Sequence, residues 1–232
     1  MQEQDNRLDQ DTQFFGRRCG RRLQKERRRV LDEVLPHMQA NLDEIKQNGV
    51  PSSAWLEIGF GNGEHLAGMA QRHPDKTLYG CEPFINGMSA FLVQYQALEG
   101  DKAKAYVWPE AAQLLMDVMP DSSLERVYLL NPDPWPKVRH HKRRFVNPGN
   151  LDRIARLLQP NGLFITATDV DDLAEWMLEK TIQHPAFEWT AKNRADWEVM
   201  PEDWIQTRYQ EKGKDKGHTQ RYLIFRRVEG TR

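Results

Sequence analysis

The sequence predicts an α/β fold, a mostly parallel β-sheet with helices on both faces. Three observations predict it. After the Pro51-Ser52-Ser53 break, apolar runs of strand length alternate with helix-length runs, the order that gives parallel strands joined by crossover helices. The first such strand runs into a glycine turn that opens a helix, Glu57-Ile58-Gly59-Phe60-Gly61-Asn62-Gly63. The 232 residues, 39% of them hydrophobic, suit one large domain with an appendage and exclude disorder throughout.

In chain order, residues 1–15 read as a polar, disordered tail and 16–50 as a basic helical leader packed on the domain. In the leader, Leu23, Val30, Leu31, Val34, Leu35, Met38, Leu42 and Ile45 recur at three- and four-residue spacing. That spacing predicts helix interrupted near Pro36, with the arginines outward. Residues 51–232 form the main domain. Strands are expected at 54–60, 77–84, 103–108, 124–130 and 162–169, with helices at 61–73, 85–98, 110–119, 150–158 and 170–184 between or after them. Residues 131–148 read as irregular and QPNG, 159–162, as a turn. FEWTA and HTQRYLIFRRV, separated by a polar loop, add two strands as a closing hairpin, making seven.

Charge divides the chain more sharply than its average suggests. The 33 Lys and Arg against 34 Asp and Glu give a net charge of −1, which argues against a simple basic nucleic-acid binder. Residues 16–30, however, hold eight cations and one acid, and 137–144 hold five cations and no acid. The other 209 residues carry 20 cations and 33 anions. Two basic segments in an acidic body are the footprint of phosphate binding. Arg17, Arg18, Arg21 and Arg22 from the first, and Arg139, Lys142, Arg143 and Arg144 from the second, are the expected phosphate contacts. No apolar run reaches the ~20 residues of a membrane span, and the start has no signal-peptide pattern, so a cytoplasmic protein is expected. Cys19 and Cys81 form no CxxC, and His140 and His141 have no third ligand spaced to join them, so no metal is expected. The oligomeric state is left open.

In such a sheet, ligands bind beyond the carboxyl ends of the strands. Each of the five parallel strands has an acid there: Glu57, Glu82, Glu110, Asp133 and Asp169. Gly59 and Gly61 let a ligand lie against bare backbone. Their spacing is not the GxGxxG of dinucleotide sites, and the preceding acid suits a cation better than a pyrophosphate. Glu82 is placed to accept both hydroxyls of a ribose. S-adenosylmethionine fits this set: it has no phosphate, and its sulfonium and α-ammonium call for carboxylates. Glu57 then faces the ammonium, Glu82 the ribose and Glu110 the adenine amino group. The fold expected is therefore a Rossmann-like class I S-adenosylmethionine-dependent methyltransferase. In Asn131-Pro132-Asp133-Pro134-Trp135-Pro136-Lys137, alternate prolines stiffen an extended path and present Asp133 beside the methyl donor. The basic segment begins four residues later, so the acceptor is a base on a phosphate backbone.

These residues resemble the bacterial tRNA (guanine-N7-)-methyltransferase family. The resemblance runs from FGRRCGRRL near residue 15 through LEIGFGNGEHL, YGCEPF, NPDPWPKVRHHKRR and TATD to TRYQEKG at 207–213. It implies methyl transfer from S-adenosylmethionine to N7 of a guanine in the tRNA variable loop. Glu57, Glu82, Glu110 and Asp133 would be cofactor-site acids, with Asp133 catalytic. Lys137, Asp169, Thr207, Arg208, Tyr209 and Gln210 would contact the guanosine. Two positions depart from the family pattern: Glu110, where Asp is common, and Gln210, where Glu is usual.

Competing classes each leave a feature unexplained. A methyltransferase for small molecules has no use for thirteen clustered cations. One acting on another RNA base would share both segments. A non-enzymatic RNA-binding protein has no reason for an acid at the end of each parallel strand.

Overall fold

The structure, a computed structural model, describes residues 15–229. The expected tail, 1–15, lies outside them except for Phe15. The leader forms three short helices, α1 (Lys25–Glu33), α2 (Leu35–Met38) and α3 (Leu42–Asn48). Pro36 sits in the first turn of α2, where no helical N–H is needed. Val30 of α1 is fully buried, and Asn86 clasps the preceding segment by accepting from Gly20 N (2.7 Å) and donating to Arg21 O (2.8 Å).

Then follow β1 (Ala54–Ile58), α4 (Glu64–Arg72), β2 (Thr77–Cys81), α5 (Ile85–Gln96), β3 (Lys104–Trp108), α6 (Ala112–Met116) and β4 (Leu124–Leu130). A 3-10 helix spans Val138–Arg143. After it come α7 (Pro148–Leu157), β5 (Leu158–Thr168), α8 (Asp171–Ile182), β6 (Phe187–Trp189), α9 (Ala195–Glu198), α10 (Arg208–Asp215) and β7 (Arg221–Arg227). The seven strands form one sheet in the order β3-β2-β1-β4-β5-β7-β6. β1 to β5 are parallel, β7 runs antiparallel to β5, and β6 pairs antiparallel with β7. The order reverses between β1 and β4, which opens a crevice at their carboxyl ends.

Side chains alternate across β1. Leu56 and Ile58 join the core beneath α6, α7 and α8, with Leu115, Ile154 and Met177. Trp55 joins the core beneath α4 and α5, with Leu66, Met69 and Phe91. Glu57 therefore lies on the α4 side of the sheet.

Two expectations change. The 159–162 turn is an excursion within one long strand: Leu124 pairs with Leu158 and Arg126 with Leu163, and Asn161 bulges out with a left-handed φ of 63°. The polar loop expected between the last two strands contains α9, α10 and the buried Trp204. The α10 segment, RYQEKGKD, lacks an apolar stripe. A capping box specifies it, in which the Thr207 hydroxyl accepts from Gln210 N and the Gln210 side chain accepts from Thr207 N.

Candidate active site

The turn after β1 is left-handed at Gly59 (φ 69°) and Gly61 (φ 57°), and a side chain at either would project into open space. Bare backbone thus lines the floor of two adjoining clefts. The first, about 780 Å³, is walled by Glu82, Phe84, Ala111, Ala112, Asn131, Asp133 and Trp135, with Phe15, Arg17, Lys142 and Arg143 at its edge. The second, about 330 Å³, is walled by Glu57, Glu64, His65, Asn131, Thr207, Arg208 and Tyr209.

Glu82 is buried and joins the first two βα turns. It accepts from Gly61 N (2.7 Å) and Phe84 N (2.8 Å). Burial pushes its carboxyl above the usual range, and the two backbone donors oppose the shift. The nearby Asp133 and Glu57 charges add to it. Each oxygen retains a lone pair for a further donor, which suits a ribose diol. The glycine cradle, the ribose acid and a cleft of nucleoside size fit S-adenosylmethionine.

Asp133 stands exposed on the rim of the first cleft. Its loop is pinned by Asn131 N donating to Ala167 O (2.7 Å), Gln220 donating to Asn131 Oδ1 (2.9 Å) and Arg144 donating to Pro134 O (3.0 Å). Asn131 and Trp135 both adopt left-handed φ, 48° and 44°, a strained conformation of the kind that gathers at functional sites. Trp135 lines the first cleft. Its ring meets Phe15 and His140 edge-on, and the Arg143 guanidinium lies 5.0 Å from its centre and 4.9 Å from that of Phe15.

Several expected contacts are placed differently. Glu110 lines neither cleft. Its carboxylate pairs with Arg18 at 2.7 Å, so the leader meets the acid expected at the adenine, and Arg18 is engaged in that pair. Arg144, expected on phosphate, is 1% exposed. It pairs with Asp172, donates to Pro134 O and lies over Trp176, so it anchors the loop from within. Gln210, expected on the guanosine, is buried, and its Oε1 accepts from Trp204 Nε1 (3.1 Å) and Thr207 N (3.0 Å). It caps α10 instead of facing a ligand. Arg17, Arg21, Arg22, Arg139, Lys142 and Lys137 are exposed as expected of contacts.

At the second cleft, Arg208 donates from its backbone (2.7 Å) and its Nε (2.5 Å) to Glu64, tying α10 to the start of α4. Asp169 accepts from His218 Nδ1 (2.9 Å) and Tyr209 O–H (3.3 Å). Burial and the Asp169 charge both raise the Tyr209 phenol. Two residues escaped the sequence reading. His65 binds buried Glu57 at 2.8 Å, and a histidine on an apolar helix face carries no signal beyond core packing. His218 lay in a segment read as strand.

This sheet, its glycine cradle and the acid ending β2 define a class I S-adenosylmethionine-dependent methyltransferase. Solved structures share the fold: the 16S rRNA methyltransferase KamB aligns with a TM-score of 0.56 at 15% identity, over 91% of this chain and 98% of that one. A mutant 16S rRNA (adenine(1408)-N(1))-methyltransferase of Catenulisporales acidiphilia, solved with cosubstrate SAM, aligns at 0.52 and 12% identity, over 84% and 94%. A family model described as "Putative methyltransferase" matches residues 51–223. The tRNA (guanine-N(7)-)-methyltransferase of Rhodospirillum rubrum is 40% identical, covering 94% of this chain and 89% of its own. The enzyme of that name from a Chelativorans species is 41% identical, covering 93% and 95%. The chain belongs to the tRNA (guanine-N(7)-)-methyltransferase family. No helix among the described residues is long and apolar enough to cross a membrane.

Proposed function

We propose that this enzyme methylates N7 of a guanine in the variable loop of tRNA, in the cytoplasm, with Asp133 as the catalytic residue. One arrangement carries the reading: Asp133 stands on a pinned loop between the cofactor cleft and the exposed cations at 137–142. S-adenosylmethionine supplies an electrophilic methyl when bound. Glu57 holds its ammonium and Glu82 its ribose, against the bare backbone of Gly59 and Gly61. Glu110, next in sequence to the cleft-lining Ala111, is the acid for the adenine amino group.

Guanine N7 has an in-plane lone pair and no proton, so no general base is needed. Asp133 accepts from the N1–H and N2–H₂ edge, aligns the lone pair, and places negative charge beside a ring that becomes cationic. The Thr207–Tyr209 turn, at the second cleft, and Asp169, held by Tyr209 and His218, contact the nucleoside. Lys137, exposed on the loop that carries Asp133, contacts the guanosine. Arg17, Arg21, Arg22, Arg139, Lys142 and Arg143 hold phosphates. Residues 16–50 act as an RNA-binding leader to the catalytic domain, 51–232.

The test is incubation with labelled S-adenosylmethionine and unmodified tRNA, followed by borohydride and aniline, which cleave at N7-methylguanosine. Label that enters tRNA and marks the cleavage site is expected. Labelled tRNA that resists cleavage would place the methyl on another atom.

A further inference from the structure

We propose that His65 is a positioning residue that fixes the Glu57 carboxylate toward the cofactor without cancelling its charge. The inference rests on the reading that Glu57 receives the cofactor ammonium. Glu57 is 3% exposed on β1, and its Oε2 lies 2.8 Å from His65 Nδ1 on the first turn of α4. Glu57 makes no other side-chain hydrogen bond among the described residues, and it lines the second cleft. The last torsion of a glutamate is soft, so a single buried donor decides where the free oxygen points.

The chemistry of the donor matters. A lysine or arginine in this place would form an ion pair and weaken the attraction of Glu57 for an ammonium. A carboxylate only accepts, so Nδ1 of His65 is the donor, and in the tautomer with that single proton Nε2 presents a lone pair. The surroundings suit that tautomer. The ring lies between Tyr128 (4.9 Å) and Trp204 (5.4 Å). Among the described residues His65 Nε2 is buried without a partner, and so is Gln210 Nε2, an amide donor whose oxygen holds the indole of the same Trp204. Around Trp204 an unpaired acceptor thus accompanies an unpaired donor. An imidazolium would put two donors there.

The test compares cofactor affinity, measured by equilibrium dialysis with labelled S-adenosylmethionine, in His65→Phe, His65→Asn and Glu57→Gln, with tRNA affinity and melting temperature measured alongside. His65→Phe removes the donor and should weaken cofactor binding about tenfold, the effect of one hydrogen bond to a charged group. His65→Asn places an amide N–H near the Nδ1 position and should restore affinity to within about threefold of the parent, on the scale of one neutral hydrogen bond. tRNA affinity should hold in both. If His65→Phe fails to fold, His65→Leu, which has the branched shape of Asn without its donor, takes its place. Parental cofactor affinity in the apolar variant, with Glu57→Gln weakened, would leave His65 a packing residue and overturn the proposal. Parental affinity in Glu57→Gln would instead remove the reading of Glu57, and the proposal with it.

Discussion

The carboxylate of Glu82 accepts the backbone N–H of Gly61 at 2.7 Å, so the acid ending β2 fixes the turn that ends β1. Burial raises the Glu82 carboxyl, and the direction of that shift has two consequences. The folded chain holds this proton more tightly than the unfolded chain does. The Glu82 contribution to stability is thus fully present below the ordinary glutamate value and is lost as pH rises through the raised value. Ribose binding needs the opposite form, the carboxylate. Affinity for S-adenosylmethionine should therefore fall on acidification, beginning at a pH above the ordinary glutamate range. Equilibrium dialysis from neutral pH downward checks this. Persistence of the same inflection in Glu82→Gln would assign it to another group.

Arg144 and Arg139 lie five positions apart in one basic run and should behave in opposite ways. Arg144 is buried against Asp172, Pro134 and Trp176. Arg144→Ala should destabilise the fold by about 3 kcal/mol through lost packing and broken pairing, read as a lower denaturation midpoint. Arg139 is exposed. Arg139→Ala should leave the midpoint unchanged and weaken tRNA binding, reducing the slope of log K against log salt by about 0.7 to 0.9. The reverse pattern would return Arg144 to the RNA surface.

What the sequence made legible divides along physical lines. Apolar runs mark buried strands, so the five parallel strands, the acids at their carboxyl ends and the two closing antiparallel strands could be read. Partners distant in sequence could not. Every arginine in KVRHHKRR looks alike until Asp172 and Trp176, on α8, single out Arg144. Glu110 reads as a ligand acid, but its pairing with Arg18 of the leader carries no signal in the sequence. α10 was hidden because its stability comes from a cap and two polar ties, to Glu64 and Trp204, rather than from an apolar stripe.

Gln210 should matter to stability more than to recognition. Gln210→Ala removes the reciprocal cap and leaves the Trp204 indole N–H buried without an acceptor. The cost should be about 1–3 kcal/mol, seen in thermal unfolding and in faster amide exchange across 207–215. A large rise in the KM for tRNA with an unchanged melting temperature would instead show the Gln210 side chain reaching the nucleoside.

Asp133 separates catalysis from binding. It is exposed and makes none of the bonds that pin its loop, which run through Asn131, Pro134 and Arg144. Asp133→Ala should therefore keep the melting temperature and, because it removes an anion from beside exposed cations, should keep or slightly strengthen tRNA binding. Methylation should fall by a hundredfold or more, since removal of one preorganised electrostatic partner of a developing charge costs about 10²–10³ in turnover. Asp133→Asn keeps an acceptor for the guanine edge but loses the charge, so its rate shows which of the two roles dominates. Turnover near that of the parent in Asp133→Ala would take Asp133 out of the mechanism and move the charge-stabilising role to Asp169.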